Sequence, residues 1–331
     1  SMSEIWTVPS SEPVIAPGQL HGKLDANRAG ACHVIDLGDR YRIYYWATDA
    51  QGHHHVCTAE APNDQPNDWT ATGRVRARQP GTEHNDTGPS FPFVLPVDDK
   101  RWLMYTGCWG KARPDGKLPN TTTVAESLDG GRTFHYVSDK PIIPMDREYD
   151  QSGSGSVWVL YEDGLFRMYY TSIGPYVQRP EGVKTGHGER IPIIGIGYAE
   201  SRDGIAFTKP VDDLVVRPRG FEVEPYEYIT SKPSIIVDPT AGERKYTLWV
   251  NTFGTAYRVH RLTSADGLNW NWSPRVGPDG ELGTGAAGKF DDHQRSYPTL
   301  VRHEDELRCW FTGNGFGATG IGYAVSKVDA Y

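Results

Sequence analysis

The sequence predicts an all-β fold made by repeating one small sheet. Three observations lead there. Gly and Pro are frequent, at 37 and 24 of 331 residues, so the chain turns often. The aromatic residues, 10 Trp, 18 Tyr and 10 Phe, fall largely in short alternating runs of the kind that strands use. One pattern also recurs five times: an acidic residue, five positions, a small residue or Pro, then an apolar run.

The five openings run from Asp25 to Ala31, Asp86 to Pro92, Asp150 to Ser156, Glu227 to Pro233 and Asp292 to Pro298. Their acids are spaced by 61, 64, 77 and 65 residues, the length of a four-stranded sheet with its loops. A turn follows each first strand: Leu37-Gly38-Asp39, Asp98-Asp99, Glu162-Asp163-Gly164, Thr240-Ala241-Gly242 and Glu304-Asp305. Aromatic second strands are expected at 41–47, 102–106, 166–171, 246–251 and 307–312. Third strands are expected at 56–60, 123–127, 196–201, 258–264 and 321–326, and a fourth, such as 133–138, completes most repeats.

The fifth repeat stops after its third strand. Near the N-terminus, Trp6 to Ile15 reads like the fourth-strand text of other repeats, such as Phe134 to Ile143. Residues near 5–16 are therefore expected to supply the outer strand of the last sheet. That arrangement closes a ring and removes the exposed edges of an open array. The predicted architecture is a five-bladed β-propeller, one domain over residues 1–331.

Composition removes several functional classes. The balance of 34 basic against 42 acidic residues, a formal charge of −8, argues against a nucleic-acid partner. No apolar run reaches the ~18–20 residues of a membrane span. Cys32, Cys57, Cys108 and Cys309 are dispersed in strand-like runs with no C-x-x-C spacing, so buried free thiols in a reducing compartment are expected. With no visible secretory signal, a cytoplasmic location follows. The opening Ser1-Met2-Ser3, which reads like a cloning remnant, leaves a removed signal peptide open.

Alternating strand direction sorts the loops onto two faces. Three turns between third and fourth strands share a Ser-x-Asp-Gly type motif: Ser127 to Phe134, Ser201 to Phe207 and Ser264 to Trp270. Their Asp side chains are expected to cap backbone N–H groups, a structural role. The opposite face gathers the five repeated acids and the loops between second and third strands, including a long one from Ile173 to Pro192. Trp109, Tyr176, Phe253 and Phe316 offer flat faces for sugar rings there, and Arg179, Lys184, His187 and Arg190 give one loop a positive bias. Arg28 and Arg295 each follow a repeated acid by three residues, Lys232 precedes Pro233, and His84 and His293 stand close to Asp86 and Asp292. The run His53-His54-His55 offers too few ligands for a metal alone. No cofactor motif is present, and a divalent ion among the central acids stays an open option.

On its repeats and its Ser-x-Asp-Gly turns, the whole chain resembles the five-bladed propeller glycosidases, the group holding glycoside hydrolase families 43, 32, 68, 62, 117 and 130. The resemblance implies an axial funnel lined by carboxylates, often in the order Asp, Asp, Glu, acting on a glycoside. Many family 43 members place a catalytic Asp directly before the Pro of the first strand. Here the corresponding positions are Gly30, Phe91, Gly155, Lys232 and Tyr297, and the acids lie six residues before the Pro position instead.

Glycoside cleavage usually needs one carboxyl group to protonate the leaving oxygen and another to attack or to activate water. The expected assignments are Asp25 as base or nucleophile and Glu227 as general acid, with Asp86 stabilising charge. Glu222 and Glu224 rival Glu227, because crowding by other carboxylates favours a protonated Glu. Expected substrate contacts are Arg28, His84, Trp109, Asp150, Glu224, Lys232, Asp292, His293 and Arg295. An acid repeated in every sheet can equally serve as a cap for the inner strand. The expected function is a glycoside hydrolase or transglycosidase acting on a small or terminal glycoside. The alternatives are a non-catalytic carbohydrate-binding propeller and a phosphorylase using Arg28, Lys232 and Arg295 to hold phosphate.

Overall fold

A computed structural model of the chain describes residues 5–114 and 119–327. Among them, eighteen strands fall into five consecutive antiparallel groups. The first is β1 (Arg28–Asp36), β2 (Arg40–Thr48), β3 (His54–Pro62) and β4 (Thr70–Ala77). The second is β5 (Gly88–Pro96), β6 (Trp102–Trp109), β7 (Asn120–Ser127) and the short β8 (His135–Tyr136). The third is β9 (Gly153–Glu162), β10 (Leu165–Gln178) and β11 (Arg190–Ser201). The fourth is β12 (Ile229–Val237), β13 (Tyr246–Phe253), β14 (Tyr257–Ser264) and β15 (Asn271–Trp272). The fifth is β16 (Ser296–His303), β17 (Glu306–Thr312) and β18 (Ile321–Lys327).

The first strands of the groups touch in a cycle: β1 on β5, β5 on β9, β9 on β12, β12 on β16, and β16 back on β1. The N-terminal segment meets the fifth group. Thr7 and Val325 exchange both backbone hydrogen bonds at 2.9 Å, and Ile15 bridges Ile321. Aromatic and aliphatic side chains fill the space between neighbouring sheets. Tyr45, Trp69 and Trp310 pack between the first and fifth groups, and Tyr105, Phe166 and Tyr170 between the second and third.

All five first strands carry a bulge, where pairing slips between Gly30 and His33, Ser90 and Phe93, Ser154 and Val157, Ser231 and Ser234, and Ser296 and Thr299. Four of the slips contain one residue in the left-handed region: Ala31 (φ 38°), Phe91 (48°), Lys232 (45°) and Tyr297 (54°). A bulge re-aims side chains at the end of a strand, and such a conformation is costly for residues with a Cβ. The same strained feature thus recurs at the head of four inner strands.

The three Ser-x-Asp turns are structural. Ser127, Ser201 and Ser264 accept N–H bonds from Gly131, Gly204 and Gly267, while Asp129, Asp203 and Asp266 each accept two further backbone N–H groups. The Thr133 hydroxyl on Asp129, together with these backbone N–H groups on all three, holds the carboxyls below their ordinary range. The preceding sheet grips two of these turns. Tyr105 donates to Gly204 O at 2.5 Å and Arg101 to Asp203 O at 2.7 Å. Tyr169 and Arg167 repeat the grip on Gly267 O and Asp266 O, both at 2.8 Å.

The stretch expected as a long loop from Ile173 to Pro192 is strand at both ends, with a loop over 179–189 between them. β10 and β11 extend into it, pairing Ile173 with Ile194 and Gln178 with Arg190 around a register break between Ile173 and Tyr176. Its apolar residues Tyr176, Val177, Ile191 and Ile193 support pairing that a search for turn residues overlooks. Cys32, Cys57, Cys108 and Cys309 are buried and unbridged. Among the described residues, no helix is long and apolar enough to cross a membrane.

Candidate functional site

The inner strands and the hairpin β10–β11 enclose a cavity of about 330 Å³, near the lower end of the roughly 300–1,000 Å³ found for ligand sites. Two of its walls are bulge residues, Phe91 and Tyr297. Trp46 comes from the end of β2, Trp109 from the end of β6, Tyr257 from the start of β14, and Phe316 from the loop before β18. The rings form a continuous wall. Centroids lie 6.5 Å apart for Trp46 and Trp109, 5.0 Å for Trp46 and Phe91, 5.0 Å for Phe91 and Tyr297, and 5.5 Å for Tyr297 and Tyr257. Ser152, Ser156, Thr171, Ser231 and Asn120 add hydroxyls and an amide. Among the described residues, no Asp or Glu lines the cavity.

Two nitrogen bases stand at this wall. His187 lines the cavity from the β10–β11 connection, and its Nδ1 shares a 2.6 Å hydrogen bond with the Tyr228 hydroxyl. Burial lowers its pKa, which favours the neutral ring. Arg28 opens β1, and its guanidinium stacks 4.1 Å over Trp46. It donates to Phe316 O at 2.9 Å and to Thr48 Oγ1 at 2.6 Å.

The expected catalytic acids stand outside this lining. Asp25 is fully buried and accepts the Tyr45 hydroxyl at 2.8 Å. Asp150 accepts the Tyr170 hydroxyl at 3.0 Å, the Lys209 ammonium at 2.6 Å and the Arg147 N–H at 2.8 Å. Glu227 is buried in a two-pronged pair with Arg219, at 2.8 and 3.0 Å. Asp86 accepts Gly81 N–H at 2.7 Å and faces Arg78 at 3.7 Å. Asp292 is held by Asn314 at 2.7 Å and Gly288 N–H at 2.9 Å. Glu222 and Glu224 are exposed.

The expected column of five equivalent acids mixes two registers. Counted six residues back from the left-handed bulge residue, the equivalent positions are Asp25, Asn85, Tyr226 and Asp291. Pro92, Pro233 and Pro298 sit one residue after the bulge, whereas Ala31 is itself the bulge. Aligning Ala31 with the prolines therefore shifts Asp86, Glu227 and Asp292 by one.

The remaining candidates also separate. Trp109 lines the cavity and Arg28 stands beside it. Lys232 is buried beyond Ser231, and its ammonium donates to Cys32 O and Pro298 O at 3.2 and 3.1 Å. Burial lowers its pKa to about 8. Arg295 is turned to Asp291 at 2.7 Å and to Leu282 O. His84 is buried, and His293 is exposed, 3.7 Å from Asp292. Tyr176 and Phe316 line the cavity as expected for ring-binding residues, while Phe253 packs behind it against His187. Trp46, Phe91, Tyr257 and Tyr297 were not among the expected contacts. The signal for Phe91 and Tyr297 was their position directly before the strand proline. In the His run, His54 accepts the Trp46 indole N–H and His55 pairs with Asp49 at 2.8 Å. Among the described residues, no group of three or more His, Cys, Asp or Glu is placed to hold a metal ion.

No family model matches the chain. It is 29% identical to an uncharacterized protein of Mycobacterium tuberculosis (strain CDC 1551 / Oshkosh), over 92% of this chain and 95% of the relative. It is 27% identical to a 1,2-beta-oligomannan phosphorylase of Thermoanaerobacter sp. (strain X514), over 53% of this chain and 58% of that protein. Among solved structures, a glycoside hydrolase superposes with TM-score 0.72 at 16% identity, covering 99% of this chain and 93% of the other. A structure from the GH130 family of mannoside phosphorylases and glycoside hydrolases gives TM-score 0.69 at 13% identity, covering 98% and 93%. The fold is that of the propeller-type glycosidases.

Proposed function

We propose that this chain is a single-domain, five-bladed β-propeller, closed by its N-terminal segment, that seats a small glycoside in the axial cavity as a glycosidase-type protein. The observation that carries this reading is the cavity wall itself. Contiguous Trp, Phe and Tyr rings suit the apolar faces of a sugar, and the serine and threonine hydroxyls between them suit its hydroxyls. The likeness to glycoside hydrolases and to an oligomannan phosphorylase supports the same class of ligand.

A second reading, a carbohydrate-binding propeller without cleavage, is favoured by one specific observation. Cleavage by the common route requires two carboxyl groups flanking the bond, about 5–9.5 Å apart, and among the described residues the lining contributes none. Catalysis by Asp25, Asp86 or Glu227 would require a substrate reaching beyond the cavity.

Calorimetric titration with a panel of mono- and disaccharides, run beside sugar-release assays with and without phosphate, tests both. Binding weakened at least tenfold in Trp109→Ala and Phe316→Ala is the expected result. Binding with turnover supports the enzyme, and binding alone supports the second reading. Affinity unchanged in both variants, or no sugar bound at all, overturns the cavity as the site.

A further inference from the structure

This inference rests on the sugar-binding reading and names the class of sugar. Arg28 stands between two lining residues, stacked on Trp46 and bonded to the Phe316 carbonyl. Its two hydrogen bonds use two of the five N–H groups of a guanidinium. Among the described residues no carboxylate pairs with it. That sets it apart. Arg42, Arg167, Arg219, Arg261, Arg295 and Arg308 each meet an Asp or Glu within 3.1 Å.

The surroundings offer no substitute. Among the described residues, the cavity lining has no acid. The Tyr297 hydroxyl beside Arg28 is kept protonated by burial, and the neighbouring His54 is kept neutral. Beyond the cavity, the Lys232 ammonium is satisfied by carbonyls alone. Among the described residues, Arg28 at the wall of this aromatic cavity and Lys232 beyond it have no carboxylate partner. Withdrawing a cation from water is unfavourable without a partner, and the missing negative charge has the form of a ligand. A planar guanidinium with free N–H groups matches two coplanar anionic oxygens.

We propose that the cavity takes an acidic sugar, a glycoside bearing a carboxylate or a phosphate ester, with that group on the free N–H groups of Arg28. The test is calorimetric titration of the full chain at low salt, where screening is weak. The probes are methyl hexuronides of gluco, manno and galacto configuration, the matching neutral methyl hexosides, the corresponding hexose phosphates, and inorganic phosphate. The hexuronide or the hexose phosphate is expected to bind at least tenfold tighter than its neutral counterpart, and which of them does so identifies the anionic group. Arg28→Gln is expected to abolish that preference, so that the acidic and neutral sugars bind within about twofold of each other. Arg28→Lys, which keeps the charge but not the fork, is expected to keep part of it.

Equal affinity for acidic and neutral sugars overturns the inference while leaving the glycoside reading intact. So does a preference that survives in Arg28→Gln, or inorganic phosphate that binds through Arg28 and tightens the neutral sugars. Failure of every sugar to bind overturns the glycoside reading as well.

Discussion

Trp6 donates its indole N–H to Glu281 at 2.9 Å, across 275 residues of sequence. The same carboxylate takes the indole N–H of Trp249 at 2.9 Å and both prongs of Arg261, at 2.7 and 2.8 Å. All four side chains are buried. The N-terminal segment is therefore held by a charged latch as well as by its bridges to β18. Removing the carboxylate in Glu281→Leu takes from buried Arg261 its two-pronged partner, at a cost of about 3–5 kcal/mol. Trp6→Phe removes one hydrogen bond to a charged acceptor and should cost about 1.5–3 kcal/mol. Urea unfolding of both variants checks the order. Two equal losses, or two negligible ones, would contradict the latch.

Asp25 and Asp150 each accept a tyrosine hydroxyl from the residue twenty positions later, Tyr45 and Tyr170. The repeated geometry belongs to the fold, tying the lead-in of an inner strand to the strand beside it. Asp25→Asn and Asp150→Asn should lower the melting temperature by several degrees while leaving sugar affinity within about twofold. Asp150→Asn should be the worse, because it also leaves the Lys209 ammonium without a buried partner. Calorimetric titration beside thermal melts decides this. Lost ligand affinity or turnover at an unchanged melting temperature would return these acids to the site.

The repeat was legible because strand alternation and turn chemistry are local, and each sheet states them again. The Ser-x-Asp turns were legible for the same reason. The site was harder to see. Equivalent residues were aligned on prolines, and nothing local to 25–36 shows that Ala31 takes the bulge that Phe91 takes in the next sheet. Acids were also expected to serve the axis, while the structure commits Asp25 to Tyr45, Glu227 to Arg219 and Asp292 to Asn314. Those partners lie from 8 to 22 residues away, at distances set by loop conformation rather than by any period. Trp46 and Tyr257 sit at strand ends, where sequence alone does not tell a core ring from a cavity ring.

Acid should weaken the fold before most carboxylates titrate. Burial lowers the pKa of His33 and His54 to about 3 and that of His260 to about 4, with Lys232, Arg28 and Arg219 respectively adding to the effect. The hydrogen bonds agree, since His33 Nδ1 accepts Val94 N–H and His54 Nδ1 accepts the Trp46 indole. Between pH 6.5 and about 4, the unfolded chain binds protons that the folded chain refuses, so stability falls as pH drops. Each histidine contributes up to about 1.4 kcal/mol per pH unit in that window. Urea unfolding at pH 7.5, 6.0 and 5.0 should show the decline, and His260→Gln should make it shallower. Stability that stays flat from pH 7.5 to 5.0 would refute the assignment.

Lys232 should act at the other end of the pH scale. Its pKa of about 8 lies below the ordinary 10.5 because the ammonium is buried, and the neighbouring Cys32 thiol, pushed up to about 12, stays protonated. Above pH 8 the folded chain releases a proton that the unfolded chain still holds, so this residue makes stability rise with pH up to about 10. The slope approaches 1.4 kcal/mol per pH unit. Lys232→Met removes the buried charge but leaves the Cys32 and Pro298 carbonyls without that donor, two effects of opposite sign and similar size. The variant should therefore fold with a stability near that of the parent at pH 7. The difference between parent and variant should then grow in the parent's favour from pH 8 to 10. A difference that is constant over that range would mean that Lys232 keeps its proton, and that the two carbonyls stabilise the ammonium as well as water does.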